Sequence, residues 1–89
     1  MLSDEFAPYN ITVNNVAPGS MHTERIIKTV PPGQDVESYL KKRAENIPLG
    51  RIGKPEELAA TVAFLASEHA AYITGATIPV DGGAGRALY

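Results

Sequence analysis

The stretch VAPGSMHTE, Val16 to Glu24, leaves an apolar run through Pro18-Gly19 and sets a lone threonine, Thr23, four residues past the glycine. At the carboxyl edge of a parallel strand, a residue without Cβ lets the backbone approach a bound ligand closely, and open α/β sheets bind ligands at that edge. Thr23 would then supply a hydrogen-bonding hydroxyl. The same nine residues also read as a plain Pro-Gly turn, with Thr23 as the N-cap of a short helix and Glu24 in its first turn. Both readings stand on the nonapeptide alone.

Other residues with chemical potential are less well placed. His22 lies in a loop with no cysteine or carboxylate at metal-ligand spacing, which favours an exposed side chain over a proton shuttle or a metal ligand. His69 reads as a cation at a helix C-terminus. Glu56 and Glu57 are adjacent on a helix and do not face each other, so they complement the helix dipole and form no acid/base pair. Tyr39, in YLKKR, has Arg43 four residues on, and a tyrosine beside a basic run is ordinarily a solvated helix face. No metal site and no catalytic residue is expected.

These residues need elements to hold them. ITVNNVA, Ile11 to Ala17, is rich in β-branched residues and predicts a strand over 11–17 that stops where Pro18 removes a donor. Upstream, LSDEFAPYN predicts the end of a helix over 1–9, closed near Pro8 and Asn10. Residues 18–50 are expected to form the turn and a lid. Within the lid, an unpatterned loop to Pro32 precedes a polar helix from Asp35 to Asn46, with Val36, Leu40, Ala44 and Ile47 on one narrow stripe. Pro55 at a first helical position, followed by Glu56 and Glu57, predicts a helix over 55–67. Leu58, Val62, Leu65 and Ala66 share one arc of it, and Ala60 and Phe64 lie opposite, so two faces call for cover. A last strand over 77–81 contains Pro79 and belongs at a sheet edge. Helix, strand, lid, helix, strand is the alternation of an α/β protein with a parallel sheet, and two strands are only part of such a sheet.

Composition narrows the function classes. The chain has 89 residues, 44% of them apolar and 20% charged, and a formal net charge of -2. That balance provides no basic field for nucleic acid. Without cysteine there is no disulfide, thiolate nucleophile or zinc ribbon, which suits a reducing compartment, so a cytoplasmic location is expected. Apolar runs are too short for a membrane span.

Three ordered blocks resemble the short-chain dehydrogenases/reductases up to Gly83. NITVNNVAPGSMHTE is similar to the family's sixth strand and its Pro-Gly turn, IPLGRIGKPEELAATVAFLAS to the segment entering its last long helix, and YITGATIPVDGG to its seventh strand. The resemblance implies the C-terminal portion of a Rossmann-like doubly wound parallel sheet, and an NAD or NADP cofactor. Pro18, Gly19, Met21 and Thr23 would be its cofactor-binding residues. The Met21 backbone would meet the nicotinamide carboxamide, and Thr23 the carboxamide or the pyrophosphate. Asp81-Gly82-Gly83 would lie near cofactor and subunit contacts. The family's catalytic tyrosine, lysine and serine and its glycine-rich phosphate turn have no counterparts here. MLSDEFAPYNITVNN aligns with the end of the helix that carries the tyrosine and lysine in complete members.

The resulting expectation is the C-terminal segment of an NAD(P)-dependent oxidoreductase acting on a small carbonyl/alcohol pair by hydride transfer, inactive alone. It would work as a homo-oligomer or with a complementing N-terminal half. The alternative is a non-catalytic association module, since a doubled apolar helix face and an edge strand are surfaces that need partners.

Overall fold

The computed structural model describes residues 1–85. Leu2–Phe6 form α1, which tightens into a 3-10 turn over Ala7–Tyr9 and ends at Asn10 with φ 61°. Asparagine tolerates this left-handed conformation better than most residues with a Cβ. Then follow β1 (Asn15–Pro18), α2 (Glu24–Ile27), α3 (Val36–Ala44), α4 (Pro55–Leu65) and β2 (Thr77–Val80).

β1 and β2 pair in parallel, with Asn15 opposite Thr77 and Pro18 opposite Val80. The lid and α4 lie between them in the chain, and α4 rests against β1. The strand predicted over 11–17 is therefore shorter and shifted. Asn14 is the reason: its Nδ2 donates to the Ile73 carbonyl at 3.0 Å and its Oδ1 accepts the Ala76 N–H at 3.0 Å. Its amide takes the place of a strand rung, and regular pairing starts only at Asn15.

Pro18 also departs from expectation, because it lies inside the strand. The Asn15 N–H donates to Ala76 O at 2.8 Å, and the Gly19 N–H to Val80 O at 2.9 Å. By the alternation of a parallel ladder, Val16 and Pro18 turn their backbone groups away from β2, so the missing proline donor breaks no rung. The same alternation turns Thr77 and Pro79 to the far side of β2. That side has no N–H at its centre, which suits the edge position expected of this strand.

Lid and last helix follow local rules. Asp35 caps α3 by accepting the Ser38 N–H at 3.0 Å. The predicted loop before it contains the single turn of α2, with Thr23 at its N-cap. Pro55 opens α4, where its missing donor costs nothing, and Leu65 is its last residue.

Little of this is buried. Among the described residues, the buried apolar side chains are Met21, Leu40, Ala44, Ile47 and Ala70, and α4 buries none of its own. Val62 and Phe64 are 50% and 49% exposed. The radius of gyration is 16.3 Å, against about 12 Å for a compact chain of this length. Accessible surface is 6961 Å², against about 5,000 Å² for a compact monomer of this mass. The excess is larger than the roughly 800 Å² that one partner loses in a standard protein interface. Parallel sheets are ordinarily covered on both faces, and this pair is half open.

Candidate functional site

Parallel pairing brings two turns to the same edge, the one after β1 (Gly19 to Thr23) and the one after β2 (Asp81 to Gly85). They touch at Gly19. A Cβ there would lie 2.6 Å from Asp81 Cβ and 2.8 Å from Asp81 Cα. The glycine is thus required for the close approach of the two strand ends, a need internal to the protein beside the ligand approach expected of it from the sequence. Asp81 in turn folds its own loop, accepting the Gly83 N–H at Oδ1 and the Gly85 N–H at Oδ2, both at 2.9 Å.

A third segment, residues 47–53, closes over both turns. The Leu49 N–H donates to Gly82 O at 3.0 Å, the Gly53 N–H to Ser20 O at 3.0 Å, and the His22 N–H to Gly53 O at 2.8 Å. The last two bonds flank Met21, which forms an isolated parallel bridge with Gly53. In such a bridge the peptide groups of Met21 itself point away from Gly53. Its carbonyl accepts the Thr23 N–H at 2.9 Å and, at the longer distance of 3.5 Å, the Thr23 hydroxyl, and its N–H has no hydrogen-bond partner among the described residues. A donor and an acceptor side by side on one residue complement a primary amide.

Thr23 is the N-cap residue of α2 by position, but its hydroxyl caps no helical N–H and instead lies 3.5 Å from Met21 O. The helix-capping role read from the sequence for this hydroxyl is therefore not the one it takes. Met21 has a buried side chain, 6% exposed, whose Sδ would stand 2.7 Å from a Cβ on Gly53.

Between the two turns and the 47–53 segment lies a cavity of about 720 Å³, walled by Met21, Leu49, Pro79 and Asp81 and by the pair Arg51–Glu57. Of the four residues singled out for the cofactor, only Met21 lines it; Pro18, Gly19 and Thr23 do not. Arg51 grips Glu57 as a fork, with Nη1 2.7 Å from Oε1 and Nη2 2.8 Å from Oε2, and Oε1 also accepts the Lys54 N–H at 2.9 Å. These donors, Arg51 first and the Lys54 amide second, hold the Glu57 carboxyl down at about 2. The sequence reading assigned Glu57 only to the helix dipole; a partner six residues upstream follows no helical spacing, though a glutamate at the third helical position does signal a cap.

Tyr39 lies outside this cavity. Its phenol sits 3.5 Å from the Thr29 hydroxyl, and that contact first, then Arg43, lowers its pKa. Arg43 also reaches Ser20 Oγ through Nε at 3.2 Å and so ties the lid to the turn. Among the described residues no group of His, Asp and Glu is placed to hold a metal, and no helix is long and apolar enough to cross a membrane.

Comparison with known proteins completes this geometry. A family model described as Enoyl-(Acyl carrier protein) reductase matches residues 1–85. The chain is 44% identical over 92 residues to the NADPH-dependent reductase BacG of Bacillus subtilis, covering 98% of the chain and 36% of that protein. It is 49% identical over 82 residues to the 3-oxoacyl-[acyl-carrier-protein] reductase FabG of Pseudomonas aeruginosa, covering 92% of the chain and 31% of that protein. A short-chain dehydrogenase family protein from Francisella tularensis superimposes with a TM-score of 0.85 at 36% identity, over 96% of this chain and 37% of that one. L-sorbose reductase from Gluconobacter frateurii, solved with NADPH and L-sorbose, gives 0.85 at 40% identity, over 91% and 33%. The chain thus spans about a third of the length of the relatives it matches. Its two strands and their helices are part of a Rossmann-like doubly wound sheet. Spread over three ordered blocks and both turns, these matches establish that the chain belongs to the short-chain dehydrogenase/reductase family.

Proposed function

We propose that the chain forms the nicotinamide side of an NAD(P)-dependent oxidoreductase that interconverts a small carbonyl compound and its alcohol. One observation carries this reading: at the carboxyl edge of a parallel pair, the Met21 peptide turns a donor and an acceptor away from its own bridge. Those groups match the carboxamide of a nicotinamide, and the Thr23 hydroxyl, which caps no helix, stands beside them for the carboxamide or a phosphate oxygen. Gly19 supports the site by bringing the strand ends together. When bound, the nicotinamide supplies or accepts the hydride; the chain's own residues orient it and, through the lid, shield it from water. The relatives, an NADPH-dependent reductase and 3-oxoacyl-[acyl-carrier-protein] reductases, agree with this reaction class.

The 89 residues contain no glycine-rich phosphate turn and no tyrosine with a lysine four positions on. With NADH or NADPH and a panel of ketones, the chain alone is therefore expected to give no turnover. Fusion behind the amino-terminal two thirds of a relative such as the Bacillus subtilis reductase is expected to give NADPH-dependent turnover. Turnover traceable to the 89-residue species would overturn the shared pocket, and a folded fusion that binds no nicotinamide would overturn the assignment.

A second reading, association without catalysis, is favoured by the exposed Val62 and Phe64 and by the excess surface. In this reading a second copy, or the complementing half of the domain, covers α4. Light scattering after size-exclusion chromatography is expected to show an assembly, and Phe64→Asp to weaken it by about tenfold or more, as burial of an unpaired charge in an apolar interface does. A well-folded monomer at micromolar concentration would count against it.

A further inference from the structure

We propose that Arg51 and Glu57 form a positioning pair that fixes, through Gly53, the orientation of the Met21 peptide that receives the nicotinamide amide; the inference rests on the cofactor reading above.

The connections are continuous. The Arg51 fork on Glu57 and the Lys54 N–H on Glu57 Oε1 close residues 51–57 into a loop pinned at three points. Gly53 lies inside it. That residue spends its N–H on Ser20 O and its carbonyl on the His22 N–H, and these two bonds flank Met21. Gly53 also packs directly on the Met21 side chain, since a Cβ would stand 2.7 Å from Met21 Sδ and 3.2 Å from Met21 Cε and would have to displace them. A rotation of the Gly53 peptide would therefore turn the Met21 peptide with it. No other side-chain bond holds residues 51–53 among the described residues, apart from the Arg51 contact to its own neighbour, Ile52 O, at 3.5 Å. The pair is open to water, with side chains 51% and 41% exposed, so its expected effect is small in stability and is read in geometry. Neither side chain bonds Met21 directly, and both act on it only through Gly53, which makes them positioning residues.

The variants are Arg51→Gln, which removes the fork and leaves the Lys54 cap on Glu57, and Glu57→Gln, which weakens both. The first measurement is amide hydrogen exchange on the 89-residue chain. His22 and Gly53 are expected to exchange about 3-fold faster in both variants, in line with an exposed charged pair. The Gly19 amide, bonded to Val80, is expected to stay unchanged. A purely local role as helix cap would instead speed exchange at the start of α4, and only in Glu57→Gln.

The second measurement is made on the fusion with the amino-terminal two thirds of a relative. Arg51→Gln is expected to raise the KM for NADPH about 3- to 5-fold with little change in kcat, and Arg51→Lys, which keeps the charge and loses the fork, to restore only part of it. Unchanged exchange at His22 and Gly53, or faster exchange with unchanged KM, would overturn the proposal. If the unaltered fusion folds and binds no NADPH, the cofactor reading fails by itself, and the exchange measurement still decides whether the pair holds the turn.

Discussion

Gly19→Ala is expected to be the most damaging single-methyl change among the glycines at the strand ends. Its Cβ would meet Asp81 Cβ at 2.6 Å and Asp81 Cα at 2.8 Å, and a backbone atom cannot swing aside as a side-chain tip can. Relief requires β1 and β2 to splay at their carboxyl ends, which lengthens the Gly19 N–H bond to Val80 O, now 2.9 Å. Overpacking of this kind costs roughly 1–3 kcal/mol, and with backbone on both sides the upper half of that range is expected. For a chain of this size that is a fall in Tm of about 10 °C or more, since each kcal/mol moves Tm by about 4–8 °C. Gly33→Ala is the control: it has φ +83° but nothing within 4 Å of the added carbon, so only backbone strain of about 1 kcal/mol is expected. Equal losses in thermal unfolding for the two variants would refute the argument. In the fusion, Gly19→Ala should also weaken NADPH binding more than tenfold, because the turn that carries Met21 starts at the displaced residue.

Asn14→Ala is expected to rank second. It removes two hydrogen bonds at once, from Nδ2 to Ile73 O and from the Ala76 N–H to Oδ1, each 3.0 Å long and part-buried. A net hydrogen bond contributes roughly 0.5–1.5 kcal/mol, so a loss of about 1–3 kcal/mol is expected, seen as a lower Tm and as faster exchange of the Ala76 amide. Neighbouring Asn15 is exposed and its side chain bonds nothing among the described residues, so Asn15→Ala should stay within about 0.5 kcal/mol. If both asparagines respond alike, the side-chain rung is not what starts the strand.

These two cases also mark what could be read ahead of the structure. The alternation of apolar and turn residues located both strands and both long helices, because Pro55, Asp35 and the β-branched runs act through local rules that need no partner. Asn14 and Asn15 are identical by type, however, and only the fold decides which one faces the 73–76 loop. In sequence Pro18 reads as the end of the ladder, since its missing donor is visible there while the direction in which that donor would point is not. At the site, resemblance singles out Met21 and Thr23, whereas the Met21 bridge to Gly53 and the Arg51–Glu57 fork are not legible in the sequence. Those depend on residues 32 and 6 positions apart whose meeting is set by the path of the lid.

One detail of the sheet bears on what this protein can join. Pro79 faces outward from β2 beside Thr77, and Pro18 faces outward from β1 beside Val16. An incoming strand would meet one peptide donor and then a proline on either flank, so neither border can prolong a full-length ladder.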